Sequence, residues 1–138
     1  MFFSPQINYY VTDVEAAARF YRVLLDFTET FRTPKNGTPE HIELRLGDLT
    51  LGVASIDSLS GVHGVTVGTG GPARAELVLW TADVDEAFAG LAEQGATVLS
   101  PPHDFLDGAL RSAWVADPEG NPVQLVMRHK TSAGTEGA

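Results

Sequence analysis

QINYYVTDVEAAARFYRVLL at residues 6–25 and ELVLWTADVDEAFAGLAEQG at residues 76–95 decide the fold, because one grammar is written twice, seventy residues apart. In the first copy Ile7, Tyr9 and Val11 alternate with Gln6, Asn8 and Tyr10, the period of a strand with one face on a core. Val14, Ala17, Ala18, Tyr21, Leu24 and Leu25 then recur at the spacing of one helical face, and Thr12 with Glu15 reads as a capping box. In the second copy Leu77 and Leu79 alternate, and Val84, Ala87, Phe88 and Leu91 form the helical stripe behind a cap at Asp83 and Glu86. Subtracting seventy maps Val84 onto Val14, Ala87 onto Ala17, Phe88 onto Ala18 and Leu91 onto Tyr21. The unit is duplicated. Gly95 ends the second helix as a left-handed cap, and Asp26 takes the corresponding place in the first.

Each helix leads into extended segments. In the first half these are 28–32, 41–46 and 49–54, the last two joined by a tight turn at Gly47-Asp48. In the second they are 97–100, 110–116 and 123–127, the last two joined by Asp117-Pro118-Glu119-Gly120-Asn121-Pro122. Both halves read βαβββ. The Gly- and Ser-rich stretch Ser58–Pro72 reads as a linker. The expected organisation is one domain over 1–130, with module one at about 4–56, a linker at about 57–73, module two at about 74–129, and a disordered tail at 131–138.

Composition narrows the function. The chain has 138 residues and 43% hydrophobic content, enough for one sizeable core. A formal net charge of −9 with scattered basic residues argues against nucleic acid or an anionic membrane as partner. The absence of cysteine removes disulfides, thiolate ligands and thiol nucleophiles. Without a secretory signal pattern or a membrane-length apolar run, a cytoplasmic location is expected.

Two βαβββ modules, each with an Asp-Val helix start, and a closing Asp-Pro-Glu-Gly-Asn-Pro-Val-Gln-Leu-Val resemble the vicinal oxygen chelate superfamily, also called glyoxalase/bleomycin resistance/dioxygenase. The resemblance covers nearly the whole chain. It implies an α+β fold in which two tandem βαβββ modules curl mixed sheets around a cup-shaped cavity, and, as in many members, a homodimer. It does not choose among lyases, epimerases, dioxygenases, thiol transferases and antibiotic-binding proteins.

In metal-dependent relatives the ligands come from the first and last strand of each module, usually His and Glu. Carried onto this sequence, those positions hold Gln6, Glu76, Gln124 and either Leu51 or Gly52. One carboxylate and two amides without imidazole make a poor transition-metal site, so neither metal nor cofactor is expected. Strand alternation turns Gln6, Asn8, Tyr10, Glu76, Trp80 and Gln124 toward the cavity. Phe105 belongs to a rim loop following the sixth strand, together with His103, and Arg111 is placed to meet a ligand carboxylate or phenolate or to pair with Asp107. Tyr10, Trp80 and Phe105 offer flat surfaces to a planar compound. Trp114 reads as interior filling or a dimer contact, and His63 and His129 as surface residues. The expected function is metal-free binding of an aromatic or antibiotic-like small molecule. The alternatives are a glyoxalase-like lyase or dioxygenase, and a metal-free isomerase using Glu76 as acid–base.

Overall fold

The computed structural model describes residues 1–68 and 70–129, so the tail expected to be disordered lies outside the described residues. The chain divides into two compact units, Met1–Gly71 and Pro72–Ala138. Among the described residues the fold is α+β, with two four-stranded mixed sheets and three helices. None of these helices is long and apolar enough to cross a membrane.

The first unit runs β1 (Ile7–Val11), α1 (Val14–Arg19, continued by a wider turn over Phe20–Leu24), β2 (Thr28–Thr33), β3 (His41–Leu46), β4 (Leu49–Ser55) and α2 (Ile56–Ser58, continued over Leu59–His63). Its sheet has the order β1-β4-β3-β2, with β1 parallel to β4 and the other pairs antiparallel. The second unit runs β5 (Leu77–Trp80), α3 (Val84–Glu93), β6 (Thr97–Phe105), β7 (Leu110–Ala116) and β8 (Pro122–Arg128). Its order, β5-β8-β7-β6, repeats the first, again with a single parallel pair.

The helices form where the periodic stripes predict. Asp13 and Asp83 are the N-caps, each accepting a hydrogen bond from the amide three residues on. The first cap is therefore Asp13 and not Thr12, because a carboxylate at that position reaches the free amide of Ala16. Asp26 and Gly95 both adopt positive φ, at 65° and 94°, and reverse the chain after their helices. One face of each sheet packs on its helix. In the first unit Val11, Ile42, Leu44, Leu51 and Val53 are buried there, and Tyr21 sits among the rings of Tyr9, Phe20 and Phe27. In the second, Val84, Ala113, Val115, Val123 and Leu125 are buried, and the thioether of Met127 meets the Val84 amide. Ile7, expected on the helix side, is 56% exposed at the start of an edge strand.

Two boundaries differ from the sequence reading. The expected linker opens with α2, whose Leu59 is buried. β6 runs through Pro101-Pro102-His103 to Phe105, so the expected rim loop is strand. It tolerates the prolines because it lies at a sheet edge, where a missing amide donor breaks no ladder, and its pairing with β7 shifts register twice around them. The closing motif is a turn built on one buried side chain. Asp117 Oδ1 accepts the amides of Glu119 and Asn121, its Oδ2 accepts the Asn121 side-chain amide, and Gly120 supplies a φ of 89°.

Candidate functional site

The sheet face away from the helix carries the chemistry in each unit. In the first, the expected phase of β1 holds: Tyr9 stacks on Tyr21 of the helix, leaving Gln6, Asn8 and Tyr10 on the open face. The two-residue turn between β3 and β4 sets Glu43 opposite Gly52 and His41 opposite Ala54, which adds His41 and Glu43 to that face. Gln6 Nε2 donates to Asn8 Oδ1 at 3.0 Å and to Glu43 Oε2 at 3.3 Å, and His41 Nε2 lies 3.0 Å from the same Glu43 oxygen. Gly52 sits beneath this chain. A Cβ there would run into the Asn8 amide and come within 3.2 Å of His41 Cε1, so the missing side chain is what lets Asn8 lie across β4. A cavity of about 350 Å³ opens beside them, walled by Asn8, Tyr10, His41 and Ala54 from the sheet and by Leu59, Val62 and His63 from α2 and the turn that continues it.

In the second unit β7 and β8 pair so that Trp114 faces Gln124 and Ser112 faces Val126. Trp114 Nε1 donates to Glu76 Oε2 at 2.9 Å, Gln124 Nε2 reaches the same oxygen at 3.3 Å, and the buried Ser112 hydroxyl donates to Gln124 Oε1 at 2.9 Å. The His103 ring lies nearly parallel to Trp114 with centroids 5.8 Å apart, and Phe105 lies 6.5 Å from His103. Trp80 is 51% exposed, with the Arg128 guanidinium 4.9 Å from its ring centre. Glu76 is exposed.

Of the residues singled out from sequence, Gln6, Asn8 and Tyr10 come together in the first unit, and Glu76 and Gln124 in the second, with Trp80 at the far end of β5 and Phe105 at the end of β6. Arg111 points elsewhere. Its guanidinium makes two 2.8 Å bonds to Asp85 of α3 and one of 3.0 Å to Asp104, so it clamps the helix to the sheet and has no bond to Asp107. These contacts hold Asp85 below the usual carboxylate range; Asp104 is lowered by His129 first and by Arg111 second. The first unit has a counterpart, in which Arg32 bridges Glu29 and Glu15 and Glu29 is lowered chiefly by Arg32. Sequence reading missed Trp114, His41 and Glu43. The signal was available, since the short turns after β3 and β7 fix which residues of the next strand they face.

A metal does not fit the positions the resemblance points to. In the first unit Gly52 has no donor and Gln6 is turned by its amide nitrogen toward Asn8 and Glu43. In the second Gln124 Oε1 is engaged by Ser112 and one Glu76 oxygen by two donors. Nor is any group of three or more His, Cys, Asp or Glu side chains among the described residues placed to hold a metal ion.

Comparison with solved structures agrees with the topology. TioX from Micromonospora sp. ML1 superposes with a TM-score of 0.70 at 26% identity, over 90% of this chain and 98% of its own. A glyoxalase-related enzyme from Fulvimarina pelagi gives 0.74 at 22%, over 97% and 96%, and a lactoylglutathione lyase from Agrobacterium tumefaciens 0.68 at 19%, over 89% and 92%; at these identities they share the fold alone. No curated protein sequence matches significantly. The family model of the glyoxalase/bleomycin resistance protein/dioxygenase superfamily matches residues 4–125, and with that span of the duplicated βαβββ pattern accounted for, the chain belongs to this superfamily.

Proposed function

We propose that the protein binds a planar aromatic small molecule without a metal, with the open face of the second sheet as the principal contact. The observation that carries this reading is the run of rings Trp114, His103 and Phe105, with Trp80 exposed on the first strand of the same sheet and one carboxylate, Glu76, bonded to the Trp114 indole. Flat rings supply large apolar contact with few rotors to freeze, and Glu76 gives a basic or hydrogen-bond-donating ligand one directional partner. Gln6, Asn8 and Tyr10 offer a smaller polar surface in the first unit. Arg111 is left out of the binding set, since all its bonds go to Asp85 and Asp104. The reading includes a cytoplasmic location, which a cysteine-free sequence suits, and a homodimer, favoured by the exposed Ile7, Phe31, Val78 and Trp80. Light scattering should then report twice the 14.7 kDa chain mass.

The direct test is titration with acridine, a flat tricyclic base, followed by tryptophan emission. Saturable quenching is expected, and Trp114→Ala should weaken it by about tenfold, the loss of one stacking partner with its burial. Trp80→Ala should have a smaller effect, because Trp80 stands apart from the run of rings that joins Trp114, His103 and Phe105. Absence of quenching by acridine and its ring analogues, or retention of one equivalent of Zn²⁺ or Ni²⁺ after desalting that Glu76→Ala abolishes, overturns the reading.

A further inference from the structure

The cavity of the first unit has a hydrogen-bonding character of its own. Ala54, Leu59 and Val62 make its apolar walls, and Glu40, His41 and His63 lie among its polar groups. The two histidines differ. The His63 ring has no hydrogen bond to any described residue. His41 is held through Nε2 by Glu43, and Glu43 is held in turn by Gln6. A carboxylate offers only lone pairs, so in the tautomer that satisfies this contact Nε2 carries the hydrogen and Nδ1 is left as an acceptor. The fixed charge on the rim, Glu40, is also an acceptor, and it disfavours anions in a chain of net charge −9. A cavity of about 350 Å³ is at the small end of ligand sites and suits one or two rings.

We propose that this cavity binds a neutral phenol, whose hydroxyl donates to His41 Nδ1 while its ring packs against Tyr10, Leu59 and Val62. Gln6 and Glu43 act as positioning residues: they fix the tautomer that makes His41 an acceptor, and through it the choice of a hydroxyl donor over an ether or a carboxylate. The site lies in the other unit from the aromatic face of the second sheet, and uses different residues.

The experiment is calorimetric titration of the whole chain with para-cresol and with its methyl ether, which keeps the ring and removes the donated proton. The cresol should bind about tenfold more tightly, the ordinary worth of one such hydrogen bond in a desolvated site. His41→Leu should bring the ratio close to one, while His63→Leu should leave it. Glu43→Gln should lower it, because an amide can accept or donate and no longer dictates the tautomer. Nitrogen-resolved NMR of the unliganded protein should place the His41 proton on Nε2. Equal affinity for the two probes, no binding of either at millimolar concentration, persistence of the ratio in His41→Leu, or a proton on Nδ1 each overturns the proposal. Acridine quenching should be unchanged in His41→Leu, so failure here is separable from failure at the second sheet.

Discussion

The two sheets have one strand order and opposite chemistry at equivalent places. In the first, the amide of Gln6 on the first strand donates to the carboxylate of Glu43 on the third. In the second, the carboxylate of Glu76 on the first strand receives the indole proton of Trp114 on the third. Donor and acceptor have exchanged strands. On the last strand, Gly52 in one unit answers Gln124 in the other, as their pairing opposite Asn8 and Val78 shows. The scaffold tolerates this because the buried faces, which set stability, keep matching patterns: Val14 with Val84, Tyr21 with Leu91. Duplication left the helix sides constrained and the open sides free to diverge, one toward a polar chain beside a cavity and the other toward stacked rings.

That contrast predicts the order of mutational effects. Trp114→Ala removes a stack, a hydrogen bond and partial burial together, and should cost about 2–3 kcal/mol in urea denaturation, below the range for a fully buried Trp. Glu43→Ala, at the equivalent place in the other unit, removes only part-exposed polar contacts and should cost about 1 kcal/mol. If the two costs are equal, the sheets are not as different as their side chains suggest. Gly52→Ala should cost about 1 kcal/mol through crowding of Asn8 and His41. Asn8→Ala in the same chain should restore most of that, since the amide is the nearest obstacle; a cost that remains would place the strain at His41. Trp80→Ala should cost under about 1 kcal/mol, as its Arg128 contact is exposed.

The smallest effect concerns the arginine clamps. Asp85 and Asp104 have folded-state pKa values below their unfolded value of about 3.9. Their contribution is present above that value and is lost as pH falls through the lowered folded values. Wild type should therefore exceed Arg111→Leu in stability at neutral pH, the difference should shrink below about pH 4, and added salt should reduce it because the carboxylates are exposed. A difference that widens in acid would contradict the assignment of the clamp.

What the sequence revealed followed the range of the interactions involved. The strand phases of β1 and β5 and both helical stripes depend on neighbours within a turn or two, and alternation with helical period reads them directly. The left-handed residues Asp26 and Gly95 are equally local. Arg111 was misplaced because its partners, Asp85 and Asp104, are 26 and 7 residues away and only the folded sheet brings them together. Pro101 and Pro102 read as a loop because their neighbours give no sign that β6 is an edge strand, where prolines are tolerated. Trp114 and Glu43 were nonlocal but recoverable: counting back from the Gly47-Asp48 turn pairs Glu43 with Gly52, and the same count across the Asp117 turn pairs Trp114 with Gln124.

The Asp117 turn therefore matters for reasons that have nothing to do with touching a ligand. Its carboxylate fixes how many residues separate β7 from β8, and a strand that slips by one residue exchanges its two faces. Inserting a single residue between Asp117 and Asn121 would send either Gln124 or Trp114 into the apolar layer beside α3 and bring Val123 or Val115 out in its place. Such a lesion would erase the recognition surface while every residue of that surface remained in the chain.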